Sequence, residues 1–142
     1  MRLSALLPRF LPKEVYSITP KRKMIIQEQR WHNHTLILFA DEQGSAQLEL
    51  FDKPQFGSLQ ITAFIFNLWT VPEYRRQGHA KKMLEIVERA AAERGHSAVF
   101  LDWDSENCSR EIRDWYIRNG YVEVGLNSKG NFSRLRKKLS IN

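Results

Sequence analysis

Residues 59–95 read LQITAFIFNLWTVPEYRRQGHAKKMLEIVERAAAERG, and this stretch decides the fold. Its first part, Leu59–Thr70, is rich in β-branched and aromatic side chains and apolar on both faces. That pattern predicts a central strand covered on both sides, ending at Val71-Pro72. From about Gly78 to Arg94, the residues Ala80, Met83, Leu84, Val87, Ala90 and Ala91 fall on one stripe of a 3.6-residue repeat. They predict a helix whose Lys81, Lys82, Glu85, Glu88 and Arg89 face water, with Gly95 as its stop. The turn between strand and helix, Val71–Ala80, contains no Ser, Thr, Asp or Asn. A helix start normally has such a cap, because its first four N–H groups have no partner within the helix. Here the helix dipole and the Arg75/Arg76 pair add positive potential to unclaimed amides, and Gly78 lets a ligand approach the backbone. The combination suits a phosphate or pyrophosphate held by backbone N–H groups. The competing reading is a helix start solvated by water. Neither a P-loop nor a dinucleotide fingerprint is present.

Upstream, Met24–Arg30, Thr35–Ala40 and Ala46–Asp52 read as strands, the last two joined by the hairpin signal Asp41-Glu42-Gln43-Gly44. In the third, Ala46, Leu48 and Leu50 alternate with Gln47 and Glu49, which predicts one wet face. Residues 1–23, punctuated by Pro8, Pro12 and Pro20, read as a basic irregular segment. Downstream, Ser97–Asp102 reads as a strand, and Trp103 to Asn107 lead into a second helix. Its buried face is marked by Cys108, Ile112, Trp115 and Tyr116, and it ends at Gly120. Tyr121–Gly125 and Phe132–Leu139 are the last strands, joined by Asn127-Ser128-Lys129-Gly130. The order β-β-β-β-α-β-α-β-β predicts an α+β fold, one mixed sheet with helices packed on it, in a single domain over 1–142.

The chain of 142 residues is long enough to bury a core without staples. With 42% hydrophobic and 27% charged residues, 7 Gly and 5 Pro, it is neither disordered nor collagen-like. A lone cysteine, Cys108, excludes an internal disulfide and a Cys-based zinc site; among His32, His34, His79 and His96 only the His32/His34 pair could share a strand face, and it reads instead as a polar hairpin end, so no metal is expected. No apolar run reaches membrane-spanning length, and Pro8, Arg9 and Pro12 break any signal-peptide core, so a soluble, cytoplasmic protein without membrane contact is expected. There are 22 Lys+Arg against 16 Asp+Glu, but the excess lies at the ends. Residues 1–23 carry six basic residues and one acid, 124–142 carry five basic residues and no acid, and the body carries eleven against fifteen. A mildly acidic body with basic ends argues against nucleic acid as the principal partner.

Two motifs then occur in order. Arg75-Arg76-Gln77-Gly78-His79-Ala80, preceded by Pro72-Glu73-Tyr74, fits the pattern [RQ]-x-x-G-x-[GA]. Tyr116, Gly120 and Tyr121 fit Tyr-x-x-x-Gly-[Phe/Tyr] one strand and one helix later. Over roughly residues 45–139 the chain resembles the GNAT superfamily of acetyl-CoA-dependent N-acetyltransferases. The resemblance implies a mixed, mostly antiparallel central sheet flanked by helices. Three features depart from the family pattern: Thr70 stands in the usual Val position before Val71-Pro72, Asn107 or Ser109 fills the family's Asn place depending on the direction of counting, and no helix pair is evident between Arg30 and Ala46.

The resemblance further implies direct transfer of an acetyl group from acetyl-CoA to a primary amine in a ternary complex. Arg75, Arg76, Gln77, Gly78, His79, Ala80 and Lys81 would hold the pyrophosphate. Leu68, Trp69 and Thr70 would pair with the pantetheine, with one amide polarising the thioester carbonyl. Asn107 would also contact the cofactor. Tyr116 would protonate the leaving thiolate as general acid. Asp102, Asp104 and Glu106 sit at or beyond a strand end, where Asp104 and Glu106 above all are candidate bases for the amine, against the simpler reading of solvated residues capping the next helix. The acceptor would be an amine-bearing small molecule, a peptide or a protein, and the chain a monomer or homodimer. The alternative is a catalytically silent protein of the same fold that binds acetyl-CoA or docks a partner.

Overall fold

The computed structural model describes residues 12–19, 22–104, 106–126 and 132–140. Eight strands form one sheet: β1 (Pro12–Thr19), β2 (Arg22–Arg30), β3 (His34–Asp41), β4 (Gly44–Gln55), β5 (Ile61–Thr70), β6 (Ala98–Asp104), β7 (Val122–Leu126) and β8 (Phe132–Lys138). The helices are α1 (His79–Glu93) and α2 (Arg110–Arg118), and short 3₁₀ turns occupy Gly57–Leu59 and Pro72–Tyr74. The spatial order is β1-β2-β3-β4-β5-β6-β8-β7. Every neighbouring pair is antiparallel except β5–β6, which α1 connects in parallel.

The central strand and the first helix form where the periodicity puts them. Met83, Leu84, Val87 and Ala91 of α1 pack on Ile37, Phe39, Ala46, Leu48, Ala63, Ile65, Val99, Leu101 and Leu135 of the sheet, with Trp115 and Tyr116 of α2 against the same cluster. No helix interrupts the described residues before β5 apart from the 3₁₀ turn at Gly57–Leu59, in keeping with the missing helix pair.

Four expectations need correction. Pro12–Thr19 is not irregular: it pairs antiparallel with β2 from Pro12↔Gln27 to Thr19↔Arg22. It is an outer strand, and its Pro12 is the first residue, the position where a missing N–H costs the ladder least. Residues 1–11, 20 and 21 of the basic N-terminal segment and the turn Asn127–Gly130 lie outside the described residues. Gln47 does not face water: it is 3% exposed, and its Oε1 accepts a 2.6 Å hydrogen bond from Asn67 Nδ2. Glu88 is likewise only 7% exposed, because Tyr121 and Lys137 close over it. Finally, α2 begins only after Ser109, and Cys108 and Ile112 are exposed, so its inner face is limited to Trp115 and Tyr116.

Two details of the sheet prepare the site. β5 and β6 share a single paired position, Phe64↔Phe100. β5 also bulges: its pairing with β4 shifts by one residue between Phe66↔Gln47 and Trp69↔Ser45, with Asn67 at a positive φ of 53°. A bulge adds local twist and turns a strand end out of the ladder. Among the described residues, β5 therefore shows no further paired position with β6 from Ile65 to Thr70.

Candidate active site

The turn after β5 is wound tightly. Arg75 Nε donates to the Thr70 carbonyl at 3.1 Å, and Gln77 Nε2 donates to the Glu73 carbonyl at 3.2 Å. Arg76 and Gly78 both adopt left-handed backbone, φ 65° and 78°. Gly78 is the N-cap of α1 and makes no side-chain capping bond, as the absence of Ser, Thr, Asp and Asn requires. A Cβ on Gly78 would meet nothing within 4 Å, so the space over the helix start is open. Thr70, Arg75, Arg76, Gly78, His79, Ala80 and Lys81 line a small cleft together with Trp115, the α2 residue just before Tyr116. The first-turn amides of α1 point along the helix axis toward this opening, and no acidic side chain stands in that turn.

Of the strand-end residues, Thr70 is buried, whereas Trp69 is 40% exposed. Leu68 is half-buried against the core. All three lie beyond the last β5–β6 pairing.

His79 takes a different position from the one a ligand-binding side chain would need. Its ring is buried, with Nε2 3.2 Å from Asp41 Oδ1 at the end of β3. Only its backbone remains available to a ligand in the turn. Asp41 Oδ1 also accepts the backbone N–H groups of Gln43 at 2.8 Å and Gly44 at 3.0 Å. Asp41 was legible only as a hairpin residue, and no local pattern joins it to the helix start.

Tyr116 packs its ring edge-on between Trp115 and Tyr121, at 5.1 and 5.7 Å between centroids. Burial, with a smaller contribution from Cys108 beside it, pushes its hydroxyl up to about 12. The phenol therefore holds its proton throughout the neutral range, as a proton donor must. Behind it, Tyr121 donates to Glu88 Oε2 at 2.7 Å, and Lys137 Nζ donates to Glu88 Oε1 at 2.9 Å. Burial and the neighbouring Glu88 carboxylate raise the Tyr121 hydroxyl strongly, so it too stays protonated.

The acidic residues around the end of β6 divide by environment. Asp102 is held in a two-point pair by Arg134, with Nε to Oδ1 at 2.8 Å and Nη2 to Oδ2 at 3.0 Å. Asp104 Oδ2 accepts from Asn107 Nδ2 at 2.6 Å, and its Oδ1 accepts the backbone N–H groups of Glu106 and Asn107. These bonds, the Asn107 side chain foremost, hold the Asp104 carboxyl below its ordinary value, which makes it a weak proton acceptor. Asn107 is spent on Asp104 in this geometry, so its side chain serves the turn into α2. Glu106 is exposed, and only its backbone N–H takes part in that turn.

Comparison with known proteins bears on the family and the fold. The profile of the acetyltransferase (GNAT) family matches residues 3–121. No curated protein sequence matches the chain. Among solved structures, a Klebsiella pneumoniae protein classed as an acyl-CoA N-acyltransferase is 18% identical, with a TM-score of 0.60 over 74% of this chain and 73% of that one. The PaiA N-acetyltransferase of Thermoplasma acidophilum, solved in complex with coenzyme A, is 18% identical, with a TM-score of 0.55 over 75% of this chain and 61% of that one. The ribosomal-protein-S18-alanine N-acetyltransferase of Escherichia coli is 16% identical, with a TM-score of 0.53 over 80% of this chain and 74% of that one. At these identities the structures speak for the fold, and the profile for the family. With its sheet, its paired motifs and a profile match across most of its length, this chain belongs to the GNAT acetyltransferase family.

Proposed function

We propose that this protein is an N-acetyltransferase that moves an acetyl group from acetyl-CoA to a primary amine by direct attack in a ternary complex. The observation that carries this reading is the uncapped, open start of α1 beside the unpaired edge of β5. The pyrophosphate lies on the amides from Arg75 to Lys81, where dipole, N–H groups and arginines act together. The pantetheine adds to the free β5 edge at Leu68–Thr70, as an extended peptide adds to a sheet. An amide of that edge polarises the thioester carbonyl.

The amine nitrogen attacks the carbonyl carbon, the C–N bond forms, and the C–S bond breaks. Tyr116 gives its proton to the departing sulfur. The proton lost by the amine passes to a carboxylate, directly or through water. Asp102 is committed to Arg134 and Asp104 to its turn, which leaves Glu106 as the base of choice. The acceptor is an amine-bearing small molecule, a peptide or a protein.

A turnover screen of acetyl-CoA against an amine library, read by product mass, tests the reading. Its expected outcome is transfer of one acetyl group, 42 mass units by elementary composition at about one per amine. A melting temperature raised by acetyl-CoA without turnover on any amine would favour the silent acetyl-CoA-binding alternative. Neither turnover nor a shift in melting would remove acetyl-CoA altogether.

A further inference from the structure

The two halves of the proposed acyl-CoA site are the end of β5 and the start of α1. The chain between them makes only a 3₁₀ turn at Pro72–Tyr74 and a reversal at Arg76 to Gly78. Both halves bear on a third element, the tight turn between β3 and β4. On the strand side, Val71 N–H donates to the Gln43 carbonyl at 2.8 Å. Gly44 is paired with Thr70 and sits so near the Trp69 carbonyl that a Cβ would lie 2.3 Å from its oxygen. Any other residue at 44 would push this turn off β5. On the helix side, the first residue of α1, His79, is buried against Asp41 of the same turn. Asp41 Oδ1 thus faces His79 while fixing the Gln43 and Gly44 amides, and its Oδ2 is buried with no hydrogen-bond partner among the described residues.

We propose that Asp41 is a positioning residue of the acyl-CoA site, acting through His79 to hold the amides of the α1 start in register with the end of β5. The proposal rests on reading the Arg75–Lys81 turn as the pyrophosphate site. Its physical basis is the missing cap. With no side chain of its own to fix it, the helix start takes its position from a contact to the sheet, and the His79–Asp41 pair is that contact. A shift of the amides by a fraction of an ångström spoils their fit to a fixed anion, whereas the acceptor, which meets the other end of the thioester, is little affected.

The test compares wild type with Asp41→Asn, His79→Gln and the double variant. Asp41→Asn retains an oxygen for the Gln43 and Gly44 amides, so the turn is kept while the charge facing His79 is lost. His79→Gln keeps the Asp41 carboxylate that accepts the Gln43 and Gly44 amides, and it carries the test alone if Asp41→Asn does not fold. The measurements are CoA affinity by calorimetry, kcat, KM for acetyl-CoA, KM for the amine found in the screen, and melting temperature without ligand. The expected result is a roughly tenfold weakening of CoA binding, with the same rise in KM for acetyl-CoA. The kcat at saturation and the KM for amine should stay within about threefold, and the double variant should be no worse than either single one, since both act through one contact. CoA affinity unchanged in the variants, or losses that add in the double variant, would overturn the proposal, as would a fall in melting temperature alone. If wild type itself binds no CoA, the acyl-CoA reading fails first and this inference falls with it.

Discussion

Tyr116 is packed edge-on between Trp115 and Tyr121, and that packing makes it testable by removal of a single oxygen. Tyr116→Phe keeps the ring and its packing. If the hydroxyl is the general acid, kcat should fall by roughly a hundredfold or more, with CoA affinity little changed, which steady-state rates and calorimetry on the same variant would show. A fall of only a few-fold would mean that the hydroxyl orients the sulfur without donating to it. The inward packing of Tyr116 and the uncapped helix start at Gly78 were legible because each rests on short-range spacing along one element and the turn before or after it. Asp41, Gln47 and Glu88 were not. Each owes its environment to a residue far along the chain: His79 for Asp41, Asn67 for Gln47, Tyr121 and Lys137 for Glu88. A helical wheel puts Glu88 at the edge of the wet face, and only the later strands decide that it is covered.

Among the elements, α1 carries most of the proposed cofactor contacts at one end. Its N-cap is glycine, in left-handed backbone that a side chain adopts at a cost of about 1–2 kcal/mol. Gly78→Asp and Gly78→Ala share that strain, but only the first sets a carboxylate where the pyrophosphate should lie. Two unit charges about 4 Å apart repel by roughly 1 kcal/mol in bulk water and about 4 kcal/mol near a protein surface. CoA affinity should therefore drop by at least about tenfold more in Gly78→Asp than in Gly78→Ala, as titration calorimetry of both would show. Equal affinities would put the phosphates elsewhere. Most elements were readable from periodicity, β5 and α1 most clearly because long apolar stretches repeat with period and cap signals in agreement. β1 was hidden by Pro12 and Pro20, which read as breakers, whereas an outer strand accommodates a proline at its first residue. The start of α2 was misplaced because Asp104 closes a turn with Asn107 and the 106 amide before the helix begins.

At the scale of the whole molecule, the sheet joins two unequal parts, β1 to β5 and β6 with β8 and β7, along a single paired position. His96 stands just before β6 and reaches back to β5, its Nδ1 2.9 Å from Thr62 Oγ1. Burial first, and Arg94 second, lower its pKa from the ordinary 6.5. The unfolded chain therefore binds the proton more readily than the folded one. The contribution of His96 to stability is complete above the ordinary value and is lost as pH falls through it toward the folded value. Denaturant unfolding measured from pH 8 down to about pH 5 should show stability decreasing with acid, and His96→Gln should lessen that decrease. An identical pH profile in the variant would refute the assignment. Among the described residues no helix is long and apolar enough to cross a membrane.

The same sheet order has a consequence for how the chain finds its fold. β1 to β5 lie side by side in the order in which they occur, joined by short turns, so each can pair with the strand before it by closing a small loop. β6 reaches β5 only across the whole of α1, and β8 pairs with β6 across α2 and β7. Loop-closure entropy makes such distant pairings slower to find than neighbouring hairpins. The end of β5 proposed to take the pantetheine lies at the seam between the strands joined by local pairings and those joined by distant ones. The proposed cofactor edge is thus a place where the chain's own strands stop competing for one another's edges.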